Sequence, residues 1–247
     1  MKDVGKQFLQ ATSYPYVSES DQNQEVPCPD LETPLPAGHK IIDLPAPEQT
    51  EVKDVTVSNA INRRRSKRNF DDKPVSLMDL SYLLWSTNGV KEKLEIASLR
   101  TVPSAGARHP FDTWLAVHNV DGLEPGLYRY LAFSHQLALI KPDKDITEHI
   151  VEGSMRQKWI RTAAVTFIWV AVPYRCAWRY SERAWRYIFL DAGHVCQNLY
   201  LASEEIGWGC CAVAAYDDAF MNKMLGLDGE EQFVIYMAPA GQLKGRK

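Results

Sequence analysis

The chain has 247 residues, of which 45% are hydrophobic and 24% are charged, so it can bury a full core as one globular domain. Its formal net charge of −3 at pH 7 argues against nucleic acid as the main partner, because nucleic-acid-binding proteins usually present a dominant basic surface. Five cysteines lack paired spacing, and no apolar run has the length of a signal peptide or a bilayer span. We therefore expect a soluble cytoplasmic protein with reduced thiols and no membrane partner.

Residues 1–50 differ in composition from the rest of the chain. Seven of the fourteen prolines fall in this stretch, which argues against regular helix and favours extended chain. Tyr14, Tyr16 and the Ile41-Ile42 pair supply apolar anchors. We expect residues 1–50 to form an extended arm lying on the body or on a partner subunit, and residues 51–247 to form the main domain.

Residues 63–70 place five cations and one hydroxyl within eight positions. Arginine grips phosphate oxygens bidentately and keeps its charge, so a phosphate suits this stretch. A short helix over 57–62 capped by Ser58 is predicted to precede it, and side chains 64, 66 and 68 project together if the following segment is extended. Taken alone, the stretch is more typical of a solvated helix surface, or of a patch for nucleic acid or anionic lipid.

The next elements follow from hydrophobic periodicity and turn residues. Ser76 begins a core helix with leucines at helical spacing, and Gly89 ends it. Alternation and apolar runs then predict a strand over 113–120, a hairpin of 126–130 with 136–140, a short helix over 146–151 and a central strand over 163–172.

The longest periodic element follows. Ser181 is predicted to cap a helix that runs to Gly207 with apolar residues every three or four positions. A strand over 211–216, a helix over 219–225 capped by Asp217 and ended by Gly226, and a strand over 232–238 complete the chain. The order of elements indicates an α+β fold with one mixed, mainly antiparallel sheet flanked by helices.

Several segments together resemble the nitroreductase-like FMN-dependent oxidoreductases, from about Asp43 onward. They are the basic stretch, the small-residue loop 103–106, residues 207–211 and the basic C-terminal tail. Residues 100–110, 126–130 with 135–137, and 186–198 narrow the resemblance to the branch of the SagB-type azoline dehydrogenases, whose members also have a Pro-rich N-terminal region. The resemblance implies a nitroreductase-like fold working as a homodimer, with FMN at the subunit interface.

The resemblance also implies which residues bind the flavin. Small residues let backbone approach an aromatic ring closely, and positive charge near the ring favours the anionic reduced form, which agrees with the implied set. Within that set, the small-residue loop reaches the flavin from the neighbouring subunit and residues 210–212 lie beside the reactive N5 edge. The implied cofactor-binding residues are Arg64, Arg65, Ser66, Arg68, Pro103, Ser104, Ala105, Gly106, Gln157, Cys210, Cys211, Ala212, Lys244 and Arg246.

Catalysis in that branch uses a Lys-Tyr pair, and the best match here is Arg179-Tyr180. Arginine stays protonated and cannot act as a base, so Tyr180 would take the proton or the reaction differs. An ordinary amphipathic tyrosine at a helix entry is an equally good interpretation of Tyr180. No G-x-G-x-x-G follows a predicted strand, so NAD(P)H, if used, would visit the flavin pocket transiently.

Three functions stay open on the sequence. The first is oxidation of a C–H bond next to nitrogen in a small or peptidic substrate. The second is NAD(P)H-dependent reduction of nitroaromatics or quinones, and the third is a flavin-holding scaffold subunit without turnover. Asp191 and His194 are predicted to form a structural hydrogen bond rather than a metal site, and His109 to cap a turn.

Overall fold

A computed structural model describes residues 3–245 of the chain. This part contains seven α-helices and nine strands. The helices are α1 Val4–Ala11, α2 Val57–Arg63, α3 Leu77–Asn88, α4 Ile146–Gly153, α5 Tyr174–Tyr180, α6 Ala184–Ile206 and α7 Asp218–Leu225. The strands are β1 Lys40–Asp43, β2 Val90–Lys93, β3 Ser98–Arg100, β4 Phe111–Val117, β5 Gly126–Leu131, β6 Gln136–Pro142, β7 Val165–Ala171, β8 Trp208–Cys210 and β9 Phe233–Gln242.

Seven of these strands form the main sheet, in the order β1-β6-β5-β4-β7-β9-β8. Every neighbouring pair in this sheet is antiparallel. The sheet was predicted to be mixed and mainly antiparallel, and no parallel pair joins its seven strands. β4 and β7 lie at the centre and are buried at every residue, including the polar Asp112, Thr113 and Thr166. Their other residues are apolar, as expected for buried strands. The predicted α+β class, the hairpin and the central strand are confirmed.

Helices cover both faces of the sheet. On one face, Leu83 of α3 and Ile188 of α6 pack in one cluster with Trp169 of β7. On the other face, Ile150 of α4 and Met221 of α7 pack in a second cluster that includes β7 residues. Burial on both sides explains why β7 is apolar at every position except Thr166 rather than alternating.

The long helix α6 lies along the first of these faces and ends where the sequence predicts. Gly207 closes it in the left-handed conformation, with φ 76°. Its start differs from the prediction, because Ser181 has φ 48° and belongs to a short 3-10 turn, and Arg183 precedes the first residue of α6. The separate helix α5, which ends at Tyr180, was not predicted. No helix within residues 3–245 is long and apolar enough to cross a membrane.

Two further local predictions are wrong. The cap of α2 is Thr56 rather than Ser58, because the Thr56 hydroxyl accepts from the Asn59 N–H at 3.2 Å. The predicted strand over 211–216 is instead the short β8 that ends at Cys210, and beyond it only Val213 makes an isolated bridge to β9. The Cys211 N–H still donates to the Pro239 carbonyl at 3.1 Å, but proline has no N–H to return the bond, which interrupts the ladder.

The N-terminal stretch contains more regular structure than its prolines suggest. α1 forms before the first proline, Pro15, so no proline ring interrupts it. Further along, β1 pairs with β6 at the edge of the main sheet. Between them the chain lies across buried arginines, with Arg175 Nε donating to the Asp30 carbonyl at 3.1 Å and Arg129 donating to the Thr33 carbonyl at 2.9 Å. These bonds fasten the stretch to the body of the protein.

Candidate functional site

The basic run, residues 63–68, leaves the end of α2 and crosses β8. The backbone N–H of Lys67 donates to the Cys210 carbonyl at 3.0 Å. A Cβ on Gly209 would lie 2.7 Å from the Cβ of Lys67, so only glycine allows this close approach. Phe70, which is fully buried, forms an antiparallel bridge with Leu243 and anchors the far end of the run.

Tyr200 of α6 joins the basic run to the segment after β8. Its hydroxyl lies 3.0 Å from Ser66 Oγ and accepts from the Ala212 N–H at 2.8 Å, while the Arg64 guanidinium carbon lies 5.2 Å from the centre of its ring. Burial raises the pKa of Tyr200, so its hydroxyl stays protonated. The sequence reasoning missed this residue, although a tyrosine hydroxyl in a buried helix stripe needs a partner.

Arg68 and Gln157 lie in the same cluster. The Arg68 guanidinium carbon is 5.6 Å from the centre of the Trp159 ring, and Trp159 Nε1 donates to Gln157 Oε1 at 3.2 Å. The amide of Gln157 in turn donates to the Ala215 carbonyl at 3.1 Å. Burial raises the pKa of the Cys211 thiol although Arg68 and Ser66 lower it, so the thiol is neutral. The structure therefore brings the predicted residues of this region together.

The cations of the basic run form no ion pair within residues 3–245. Arg65 folds back to donate to the carbonyls of Asn62 and Arg64, at 3.0 and 2.9 Å. The C-terminal tail returns beside the run, because the Lys244 N–H donates to the Asn69 carbonyl at 3.3 Å. The other predicted tail residue, Arg246, lies outside the described residues. The result is a concentration of positive charge that an anion can neutralise.

The small-residue loop, residues 103–106, is fastened to the other end of α6. Asp191 accepts from Ser104 Oγ at 2.6 Å and from the Ala105 N–H at 3.1 Å. Burial raises the pKa of Asp191, and these two bonds oppose the rise. His194 Nδ1 is 3.8 Å from the same carboxylate. Within residues 3–245 no group of three or more His, Cys, Asp and Glu is placed to hold a metal ion.

Arg179 and Tyr180, the predicted catalytic pair, contact this loop. A Cβ on Gly106 would lie 2.5 Å from Tyr180 Oη and 3.0 Å from Arg179 Cδ. Gly106 also has φ 60°, a conformation that side chains disfavour. Glycine is thus required at this position both by the backbone and by the side chains that pack on it.

His109, at the end of the same loop, is a buried structural residue. Its ring lies 3.0 Å from the Ser98 carbonyl, and its backbone N–H donates to Ser104 Oγ at 2.9 Å. Burial and the nearby Arg100 lower the pKa of His109 to about 3, so the ring is neutral. The prediction of a role in a turn agrees with this position.

The predicted residues therefore form two half-sites. The basic half-site consists of Arg64, Ser66 and Arg68 with residues 210–212, and the loop half-site consists of residues 103–106 with Arg179 and Tyr180. Tyr200 holds the first and Asp191 the second. These two residues are separated by nine positions on α6, which corresponds to roughly 13.5 Å along the helix and about half a turn around it. The half-sites of one chain thus lie on opposite sides of α6.

The fold and these half-sites define an α+β protein with a concentration of cations beside a long central helix. The family model described as the nitroreductase family matches residues 61–242, starting just before the basic run. The chain belongs to the nitroreductase family and is an oxidoreductase of that family. The predicted family is confirmed.

Individual relatives agree with this assignment. MJ1384 of Methanocaldococcus jannaschii, which carries a provisional nitroreductase name, is 30% identical over 201 residues that cover 81% of this chain and 96% of MJ1384. The trifolitoxin-processing protein TfxB of Rhizobium leguminosarum bv. trifolii is 28% identical over 133 residues, which cover 52% of this chain and 36% of TfxB. A Ralstonia eutropha crystal structure with a provisional nitroreductase name superposes with a TM-score of 0.69 at 23% identity, covering 87% of this chain and 95% of that one, and confirms the predicted nitroreductase-like fold.

Proposed function

We propose that the protein is an FMN-dependent oxidoreductase that works as a homodimer and transfers a hydride to or from flavin N5. The observation that carries the proposal is the basic half-site. Arg64 and Arg68 lie over aromatic rings rather than against carboxylates, and Ser66, between them in the chain, contacts the hydroxyl of the Tyr200 ring that Arg64 covers. Two guanidinium groups and a hydroxyl in this arrangement fit a phosphate ester.

The residues around the basic half-site also fit the remainder of FMN. The backbone of residues 210–212 is fixed by Lys67 on one side and Tyr200 on the other, and the side chains there are small. Gln157 lies nearby with its amide oriented by Ala215 and Trp159. When bound, FMN supplies a two-electron hydride acceptor and donor. The chain's own residues bind its phosphate, approach its ring closely and keep its position fixed.

A second copy of the chain supplies the other wall of the site in this proposal. The loop half-site lies on the opposite side of α6 from the basic half-site, so one chain does not enclose a ligand with both. α6 also exposes apolar side chains: Phe189 is 55% and Leu190 61% accessible. A Cβ on Gly193, in the next turn, would meet no other atom within 4 Å. An exposed apolar face beside a small residue favours close packing of another helix.

The narrower proposal is a dehydrogenase of the SagB type, acting on a C–H bond next to nitrogen. Its support is the resemblance of residues 100–110 and 186–198 to that branch, together with the partial match to a toxin-processing protein. Tyr180, whose phenol oxygen is placed against Gly106, would accept the substrate proton as its phenolate. The alternative, an NAD(P)H-dependent nitro or quinone reductase, is favoured by the nearly complete match to MJ1384.

Purified protein tests these proposals in one series. The FMN proposal requires a yellow protein with a flavin absorption spectrum, and a protein that neither copurifies with FMN nor binds added FMN contradicts it. Anaerobic bleaching by NADH or NADPH supports the reductase. Bleaching by an azoline peptide but by neither nicotinamide supports the dehydrogenase. Bleaching by dithionite alone indicates a flavin-holding subunit without turnover.

A further inference from the structure

Arg179 has a position in the loop half-site that its role as a helix residue does not explain. It lies at the end of α5, is half-buried, and packs its side chain over Gly106, with Nε 3.1 Å from the position a Cβ would take. Its guanidinium carbon is 5.7 Å from the centre of the Tyr180 ring. The charged group is therefore held beside the phenol that we propose as the proton acceptor.

The guanidinium of Arg179 has no hydrogen-bond or ion-pair partner within residues 3–245, unlike the other arginines nearby. Arg183 donates to the Thr12 carbonyl at 3.0 Å, and Arg186 donates to Thr12 Oγ1 at 2.6 Å. Two acids of the same region are also engaged. Glu182 accepts from the Ser18 N–H at 2.8 Å, and Asp191 accepts from the small-residue loop. No carboxylate of the described chain forms an ion pair with Arg179.

We propose that Arg179 binds a carboxylate of the substrate, so that the site takes an organic acid whose carboxylate lies close to the reacting atom. A single guanidinium matches the charge and bidentate geometry of one carboxylate, whereas a doubly charged phosphate is better served by several cations, as in the basic half-site. The inference rests on the proposed function, because it assigns the substrate class of that same site. It also gives a reason for arginine where the resembling branch has lysine: a permanent cation that orients an acid.

The test uses two ligands of nearly the same size and shape, one an anionic carboxylate and the other a neutral amide. Protein reconstituted with FMN is titrated with benzoate and with benzamide by isothermal titration calorimetry. We expect benzoate to bind about ten- to a hundredfold more tightly than benzamide, as the loss of one charge-assisted contact predicts. In Arg179→Gln the ratio of the two dissociation constants should fall to near one, and Arg179→Lys should retain an intermediate ratio.

Arg183→Gln is the matched control, because it removes the same charge four residues away at a guanidinium that is already bonded to the arm. It should leave the preference for benzoate unchanged. With 4-nitrobenzoate and 4-nitrobenzamide as electron acceptors, Arg179→Gln should raise the ratio of KM for the acid to KM for the amide, and Arg183→Gln should leave that ratio at its wild-type value.

The inference is overturned if wild-type protein binds benzoate and benzamide equally, if neither binds, or if Arg179→Gln keeps the wild-type ratio. An equal loss of the preference for benzoate in Arg179→Gln and Arg183→Gln also contradicts it. That result would mean that benzoate responds only to the overall positive charge of the surface. These outcomes are distinct from failure of the proposed function, which shows as a protein that does not bind FMN at all.

Discussion

Replacing Arg64 and Arg68 together by alanine should give a folded protein that has lost its flavin. Both side chains are arranged on aromatic faces, at 5.2 Å from Tyr200 and 5.6 Å from Trp159, and neither has an ion-pair partner in the described chain. A hydrogen bond to a charged group contributes about 1.5–3 kcal/mol. Loss of two such contacts therefore weakens FMN binding by about 3–6 kcal/mol, which is roughly 10²- to 10⁴-fold in Kd.

The same substitutions should cost little stability in the absence of FMN. The two cation–π contacts contribute about 0.5–1 kcal/mol each at accessible positions. A loss of about 1–2 kcal/mol is small against the roughly 5–15 kcal/mol by which folded domains are stable. The double variant should therefore lose more FMN-binding free energy than folding free energy, so the protein stays folded while it loses its flavin.

The assay is a titration of flavin-free protein with FMN, followed by quenching of flavin fluorescence, with circular dichroism to verify folding. Arg63→Ala is the matched control, because Arg63 belongs to the same run but contacts neither of the two aromatic rings. It should bind FMN within a few-fold of wild type. The reasoning is refuted if the double variant keeps the wild-type Kd, or if Arg63→Ala weakens binding as much as the double variant does.

Three further changes test the parts that hold the half-sites. Tyr200→Phe removes the acceptor of an N–H bond of 2.8 Å, so it should lower the free energy of unfolding in urea by about 1–3 kcal/mol and weaken FMN binding. Gly106→Ala forces a Cβ to within 2.5 Å of a tyrosine hydroxyl at φ 60°, so it should abolish turnover and lower Tm. Ser18 holds the pKa of Glu182 at about 2 instead of 4.5, so its ionised form adds stability that is complete above pH 4.5 and is lost as the pH falls towards 2; Glu182→Gln should show a smaller fall in Tm over that range.

Controls are available for each of these changes. Tyr216→Phe also removes a buried tyrosine hydroxyl, which donates to the Val234 carbonyl at 2.9 Å, and should lower stability without changing the FMN Kd. Gly122 has φ 79°, and a Cβ there would meet no atom within 4 Å. Gly122→Ala should therefore lower stability through the same backbone strain as Gly106→Ala but keep full turnover. If Tm falls between pH 4.5 and 2 by the same amount in Glu182→Gln as in the wild type, Glu182 is not responsible for the fall.

The elements with strong periodicity were predictable because burial imposes them. β7 is apolar at consecutive positions since helices cover both faces of the sheet, and Gly207 ends α6 because the chain there needs a left-handed residue. The start of α6 was misplaced. Ser181 is a good capping residue in isolation, but here it bends the chain between two helices, and nothing in its neighbours distinguishes the two roles.

The residues proposed to bind FMN stand out in the sequence more clearly than the residues that hold them in place. The basic run and the small-residue loop stand out by composition, whereas Tyr200 and Asp191 look like ordinary members of a helix stripe. Their roles come from contacts across more than eighty positions of sequence, such as Ser104 with Asp191 and Ser66 with Tyr200. Such pairings depend on how the helix is laid against the sheet, which local sequence patterns do not encode. α1 was not predicted because the prolines that follow it were taken to prevent helix throughout residues 1–50.

A mixed dimer tests most directly the central claim that one flavin lies between the basic half-site of one chain and the loop half-site of another. Arg64→Ala/Arg68→Ala disables the first half-site, and Ala105→Trp, on a half-buried loop residue, disables the second. When the two variants are coexpressed with different tags and the mixed dimer is isolated, one of its two sites contains only wild-type residues. The account predicts no FMN in the double-variant dimer, little in the Ala105→Trp dimer, and one FMN per mixed dimer. A mixed dimer that binds no FMN, or a protein that binds FMN as a monomer, would contradict it.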